Sequence, residues 1–189
     1  HQWGNAVLKD FLAELEKSSG RELAGWSSVW LETAGVNTLS LDIETDHEGI
    51  ITRAAMTQSA PVDWPTLRPH RIGVGIYSTD HSGALVATEA IEMDIDGAST
   101  EIPLLVGLHR GDLVLPNNGD LAYAKIRLDA DSLAFATENL KHIADPLARS
   151  LVWGSVWDST RDAEIPPRTF IDLVLANIAH ETESTTVRT

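Results

Sequence analysis

The sequence predicts a mainly β fold with flanking helices: an antiparallel β-sandwich of about seven strands, with two helices before it and about three after it. Three observations carry this. The apolar period changes from 3.6 to 2 after Gly35 and returns to 3.6 at Asp131. Asp46, Gly49, Asp80, Gly83, Asn117 and Asp120 supply tight-turn residues between the alternating runs. No helical run separates those strands, so they should join as antiparallel neighbours rather than through crossovers.

The elements follow in order. Val7, Leu8, Phe11, Leu12 and Leu15 fall on one face at helical spacing, predicting a helix over residues 5–18 with Gly20 as its stop. Leu23, Trp26, Trp30 and Ala34, spaced by three and four, predict a second helix closed by Gly35. A strand begins where Leu39, Leu41 and Ile43 alternate with Ser40, Asp42 and Glu44. Ile72, Val74 and Ile76 alternate in the same way with Arg71, Gly73 and Gly75, and Ile91, Met93 and Ile95 with Glu92, Asp94 and Asp96. Further strands are expected over residues 50–57, 100–106, 112–115 and 122–128.

Helical spacing then returns. Asp145-Pro146 reads as an N-cap followed by proline in the first turn. Leu147, Leu151, Val152, Trp153, Val156 and Trp157 cover so much of this helix that it should be buried on more than one side. Pro166-Pro167 ends it, and Phe170, Ile171, Val174, Leu175 and Ile178 form the face of the next; the tail over residues 181–189 carries no closing signal.

Composition narrows the function. With 189 residues and 43% apolar content, the chain can bury a sizeable core. Lys and Arg total 14 against 28 Asp and Glu, a formal charge of −14, which repels phosphate and argues against nucleic acid or an anionic membrane as partner. The absence of cysteine removes disulfides, thiol nucleophiles and thiolate metal sites, and suits a reducing, cytoplasmic compartment. No apolar run approaches the ~20 residues of a membrane helix. The chain opens on His1 rather than Met, as a piece of a longer protein would.

The motif search returns no catalytic residue and no metal ligand. Two His-Glu pairs invite comparison with the helical zinc motif HExxH, but His47-Glu48 continues into a turn and His180-Glu181 has Ser184 where the second histidine belongs; both histidines are expected at the surface. Glu92, Asp94 and Asp96 before Gly97 echo a calcium loop faintly, yet the closing carboxylate would fall on Pro103. There is no GxSxG, and GVGIYS lacks the third glycine of a nucleotide loop. Glu14, Glu16, Asp158 and Asp162 read as solvated helix faces.

Two stretches share Ser-Val-Trp with paired tryptophans, around Trp26 and Trp30 and around Trp153 and Trp157. The first leads into a sheet and the second into more helix, so they are not a repeat. Trp26 and Trp30 are expected to fill a helix interface.

Three segments together carry a resemblance. WLETAGVNTL (30–39), LVLPNNGDLAYAKIRLD (113–129) and DPLARSLVWGSVWDSTRDAEI (145–165) resemble the aminopeptidase N family of zinc-dependent gluzincin aminopeptidases, and HQWGNAVLKDFLAELEKSSGRELAGW is similar to the last helices of its thermolysin-like catalytic domain. Ala6 stands where family members commonly carry Thr. The resemblance implies three parts: residues 1–34 as the helical tail of a catalytic domain, 35–129 as the β-sandwich domain, and 130–189 as the start of an α-helical C-terminal domain. It also implies that zinc, the catalytic motifs and the peptide substrate belong to other parts of the parent enzyme, since HExxH, its downstream glutamate and GxMEN occur nowhere here. The chain would then be a noncatalytic interdomain segment, with Trp26, Trp30, Trp153 and Trp157 packing against the neighbouring domains of its own parent chain. Left without those partners, its apolar helix faces should self-associate or fold back. The alternative is a free-standing β-sandwich protein-binding module, for which Trp64 in the VDWPTL turn is the clearest aromatic; next to proline it reads as a packed loop anchor.

Overall fold

The computed structural model describes residues 4–188. His1, Gln2 and Trp3, which open the stretch likened to a catalytic-domain tail, lie outside them, as does Thr189. Two helices lead: α1 (Leu8–Ser19) and α2 (Ala24–Leu31). Gly20, at φ 67°, ends α1 with its N–H on the Glu16 carbonyl at 2.8 Å, the left-handed stop its position predicts. Helix α2 is shorter than its apolar spacing suggests: it ends at Leu31, and Gly35 turns the chain four residues later at φ 90°. A Cβ on Gly35 would approach Trp64 Cβ to 2.7 Å, so glycine meets both a backbone and a space requirement there.

The seven strands are β1 (Thr38–Thr45), β2 (Ile51–Ser59), β3 (His70–Thr79), β4 (Leu85–Ile95), β5 (Ser99–Glu101), β6 (Leu113–Pro116) and β7 (Lys125–Arg127). They form a four-stranded sheet in the order β5-β2-β1-β7 and a three-stranded sheet in the order β4-β3-β6. Among the described residues, every pairing between two strands is antiparallel except one: β1 runs parallel to β7, with Leu39 opposite Ile126. The strand expected over residues 100–106 is cut to three residues because Pro103 cannot donate to a ladder and opens a 3-10 turn (Pro103–Leu105). The strand expected over 122–128 shrinks likewise, because Asn117 holds the Ala122 backbone in the preceding loop at 2.9 Å through both its amide and its carbonyl.

The two sheets enclose one core. Leu39, Leu41, Ala54 and Met56 from the first sheet meet Ile72, Val74, Ile76 and Val114 from the second. Strand β6 alternates between two environments: Val114 faces this core, while Leu113 and Leu115 face a second one built with the helices that follow. Those helices are α3 (Ala130–Asn139), α4 (Pro146–Arg161), α5 (Pro167–Asn177) and the short α6 (Ser184–Arg188). Asp129 caps α3 and Asp145 caps α4, with Pro146 in the first turn as the sequence predicts. Ala136, Leu140, Ile143, Val152, Val156 and Leu173 close the second core over β6. The three-stranded sheet therefore lies between the other sheet and a layer of helices.

Candidate functional site

Two joints fasten helices to the sandwich and a third ties the later helices together, and each centres on an arginine. At the first, Arg68 is 4% exposed and, among the described residues, has no carboxylate partner. Its guanidinium donates instead to the C-terminal end of the α2 segment: Nε to the Val29 carbonyl at 3.2 Å, and Nη2 to Thr33 Oγ1 at 2.7 Å and the Ala34 carbonyl at 2.9 Å. Carbonyls at a helix end carry partial negative charge, which is what a buried cation needs. The same guanidinium lies 5.5 Å from the Trp30 ring. Behind it, Gln58 Oε1 accepts the Arg68 backbone N–H at 3.2 Å and meets His70 Nε2 at 3.0 Å, while His70 stands edge-on to Trp30 at 5.1 Å.

At the second joint, α4 docks on β7. Ser155 Oγ donates to the Ile126 carbonyl at 2.9 Å, Lys125 Nζ and Arg127 Nη2 hold Asp162 at 2.5 and 2.6 Å, and Arg127 also pairs with Glu164. The Lys125 ammonium, ahead of Arg127, holds the Asp162 carboxyl below its ordinary pKa. Asp162 is thus not the solvated helix charge its sequence position suggests: the ion pairs draw it against the sheet. Glu16 differs in the same way, since its Oε1 accepts the Leu23 N–H at 2.7 Å and ties α1 to α2.

The third joint lies among the later helices. Arg149 Nη2 donates to Glu181 Oε1 at 2.9 Å, and Arg149 Nη1 to the Ile143 carbonyl at 2.8 Å. Trp153 Nε1 donates to Glu181 Oε2 at 3.1 Å. These contacts, led by the Arg149 guanidinium, hold the Glu181 carboxyl at about 2 against an ordinary 4.5. Sequence reasoning placed His180 at the surface, and it is exposed, but missed Glu181, Arg68 and Arg149. A charged residue buried by a distant partner leaves no periodic signal.

The four tryptophans do not share one environment. Trp153 is buried at 9% exposure, and Trp30 is half-buried against Arg68 and His70. Trp26 and Trp157 are 42% and 41% exposed, so within this chain Trp26 is not the core residue its spacing predicts. The reason is geometric: Ser27 is the one residue of α2 that is fully buried, which turns Trp26 outward. Helix α1 buries no residue, leaving Val7, Leu8 and Phe11 exposed. Trp64 is exposed too, its ring outside although its Cβ packs on Gly35. Trp153, Trp157, Phe170, Val174, Ile178 and Val187 line an apolar groove of about 350 Å³ between α4, α5 and α6.

The acidic stretch at Glu92, Asp94 and Asp96 is likewise accounted for by local contacts. Arg71 holds Glu92 and Asp94 at 3.3 and 3.2 Å, and Asp96 Oδ1 accepts the Gly97 N–H at 2.8 Å. Among the described residues, no group of three or more His, Asp or Glu side chains is placed to hold a metal ion.

The chain is 48% identical over 189 residues to the aminopeptidase N of Streptomyces lividans, an alignment covering 97% of this chain and 22% of that protein. The chain is an aminopeptidase N homologue. A family model described as the ERAP1-like C-terminal domain matches residues 113–189, beginning at the first residue of β6, the strand that packs on the helices. The fold also matches the crystal structure of Legionella pneumophila aminopeptidase A in complex with aspartic acid, with a TM-score of 0.55, 15% identity, and coverage of 90% of this chain and 20% of that one. The chain thus spans about a fifth of the length of these relatives. No helix among the described residues is long and apolar enough to cross a membrane.

Proposed function

We propose that this chain is a noncatalytic interdomain segment of a zinc metallo-aminopeptidase whose full-length form removes N-terminal amino acids from peptides. The observation that carries this reading is the alignment with aminopeptidase N: high identity across almost all of this chain, and about a fifth of the relative. Residues 1–34 would close the catalytic domain, 35–129 would form the sandwich that braces it, and 130–189 would begin the C-terminal helical domain. Zinc and the residues that act on peptides would belong to the parts of the parent that lie outside this chain.

The exposed apolar faces support the bracing role. Trp26 with α1 offers a face toward the catalytic side, and Trp157 with the groove beside it offers one toward the C-terminal side. Trp30 and Trp153 stand beneath these faces and fix the helices that present them. The partners are then the parent's own domains, with peptides as its substrate and neither nucleic acid nor membrane required. A cytoplasmic location fits the lack of cysteine.

The test is hydrolysis of alanine p-nitroanilide by the purified chain with added zinc, against a mock preparation. The expected result is no release above the mock. Zinc-dependent turnover that follows the protein would overturn the reading.

A further inference from the structure

We propose that the Arg68, Gln58 and His70 cluster is a proton-sensitive latch, in which a proton taken up at Nδ1 of His70 loosens helix α2 from the sandwich. The inference goes beyond the supporting role above and does not depend on it. It starts from hydrogen-bond roles. Gln58 Oε1 accepts the Arg68 N–H, and Gln58 Nε2 donates to the Gly97 carbonyl at 2.8 Å, so the amide orientation is set from both ends. The oxygen that meets His70 is therefore an acceptor, and His70 Nε2 must donate to it. Nδ1 is then the unprotonated nitrogen, and it is buried with no hydrogen-bond partner among the described residues.

Protonation at Nδ1 would create a buried N–H with nothing to donate to, in a side chain 5% exposed. It would also place a second cation beside Arg68. The groups packed around the imidazole offer no compensation. From α2 comes the Trp30 ring, and from β2 the neutral Gln58. From β4 comes Ile95, directly opposite, next to Asp94, which is already paired with Arg71. Asp96 is engaged by the Gly97 N–H, and Arg21, which lines the same cleft, is a further cation. Burial first, and the Arg68 charge second, accordingly hold His70 below the ordinary histidine pKa of 6.5.

The strain of a charged His70 is relieved most directly by separating α2 from the sheet, because Trp30 and the Arg68 contacts are what close the pocket. In the loosened form the imidazole regains its ordinary pKa. The closed state is then favoured fully above about pH 6.5 and progressively less below it. Because the closed form binds the proton less readily, the opening equilibrium rises as pH falls through 6.5, by at most about tenfold between pH 7.5 and 5.5.

Amide hydrogen exchange on the full chain reads this directly. Protection factors of α2, corrected for intrinsic exchange, should fall between pH 7.5 and 5.5, by at most about tenfold, while those of β1 and β2 stay constant. In His70→Gln, whose amide can still donate to Gln58 but cannot titrate, α2 protection should be independent of pH. Constant α2 protection in the parent sequence, or the same fall in the variant, would overturn the proposal. Should the variant not fold, an NMR titration of the His70 imidazole decides: an apparent pKa below 6.5 supports the latch, and a value of 6.5 or above overturns it.

Discussion

Arg149 on α4 and Glu181, beyond the end of α5, form a salt bridge at 2.9 Å with side chains 10% and 2% exposed. Removing one charge from such a pair strands the other, which costs about 3–5 kcal/mol in buried cases. Glu181→Gln keeps the shape and loses the charge, and its unfolding free energy in urea at pH 7 should be about 3 kcal/mol lower. An unchanged midpoint and slope would show that the pair is not stabilising.

The same carboxylate sets an acid limit. Its pKa is depressed in the fold, from 4.5 to about 2, so its contribution is complete above pH 4.5 and is lost as pH falls toward 2. The loss should be on the order of 3 kcal/mol across that window. Urea titrations at pH 5 and pH 2.5 should show a larger stability difference for the parent sequence than for Glu181→Gln.

Two glycines should respond to alanine in opposite directions. A Cβ on Gly73 would lie 2.1 Å from the Asn118 carbonyl oxygen, which is backbone and cannot move aside without displacing the loop after β6. Gly73→Ala should cost more than about 3 kcal/mol or prevent folding. Gly154, inside α4, has nothing within 4 Å, and Gly154→Ala should stabilise by about 0.5–1 kcal/mol. Thermal unfolding of the two variants gives the signs.

Ser132 tests the seam between α3 and the second sheet. Its hydroxyl donates to Asp129 Oδ2 at 2.5 Å and accepts the Val114 N–H at 2.9 Å, with the residue fully buried. Ser132→Ala leaves that N–H without a partner and should cost about 1–3 kcal/mol. Faster exchange of the Val114 amide than of its strand neighbours would localise the effect.

The tryptophans separate packing within the chain from packing outside it. Trp153→Ala should destabilise the isolated chain by about 3–5 kcal/mol, whereas Trp157→Ala should cost at most about 1.5 kcal/mol. Sedimentation velocity should show association of the parent sequence that Trp157→Ala weakens. A monomer with freely mobile terminal helices would remove the basis for that surface.

Alternation made much of this fold legible before any coordinates. Leu39, Leu41, Ile72, Val74 and Ile76 all lie in the core, and the turns at Asp46, Asp80 and Asn117 fall where Gly, Asn and Asp predict them. Alternation does not encode which strands pair, so the contact between Leu39 and Ile126 was invisible to it. The tryptophan faces were legible as apolar spacing, but spacing does not tell a core face from an uncovered one, hence Trp26. The arginine joints left no trace because Arg68 and Arg149 are partnered by backbone carbonyls and one distant glutamate.

The parallel contact between β1 and β7 has a consequence for synthesis. The first strand to leave the ribosome waits for the last one before its outer edge is covered, so the four-stranded sheet cannot be completed until nearly the whole sandwich has been translated. Pairings between distant segments form slowly. A nascent chain halted before Lys125 would expose the free edge of β1, and a molecular chaperone that recognises unpaired strands would find its target there.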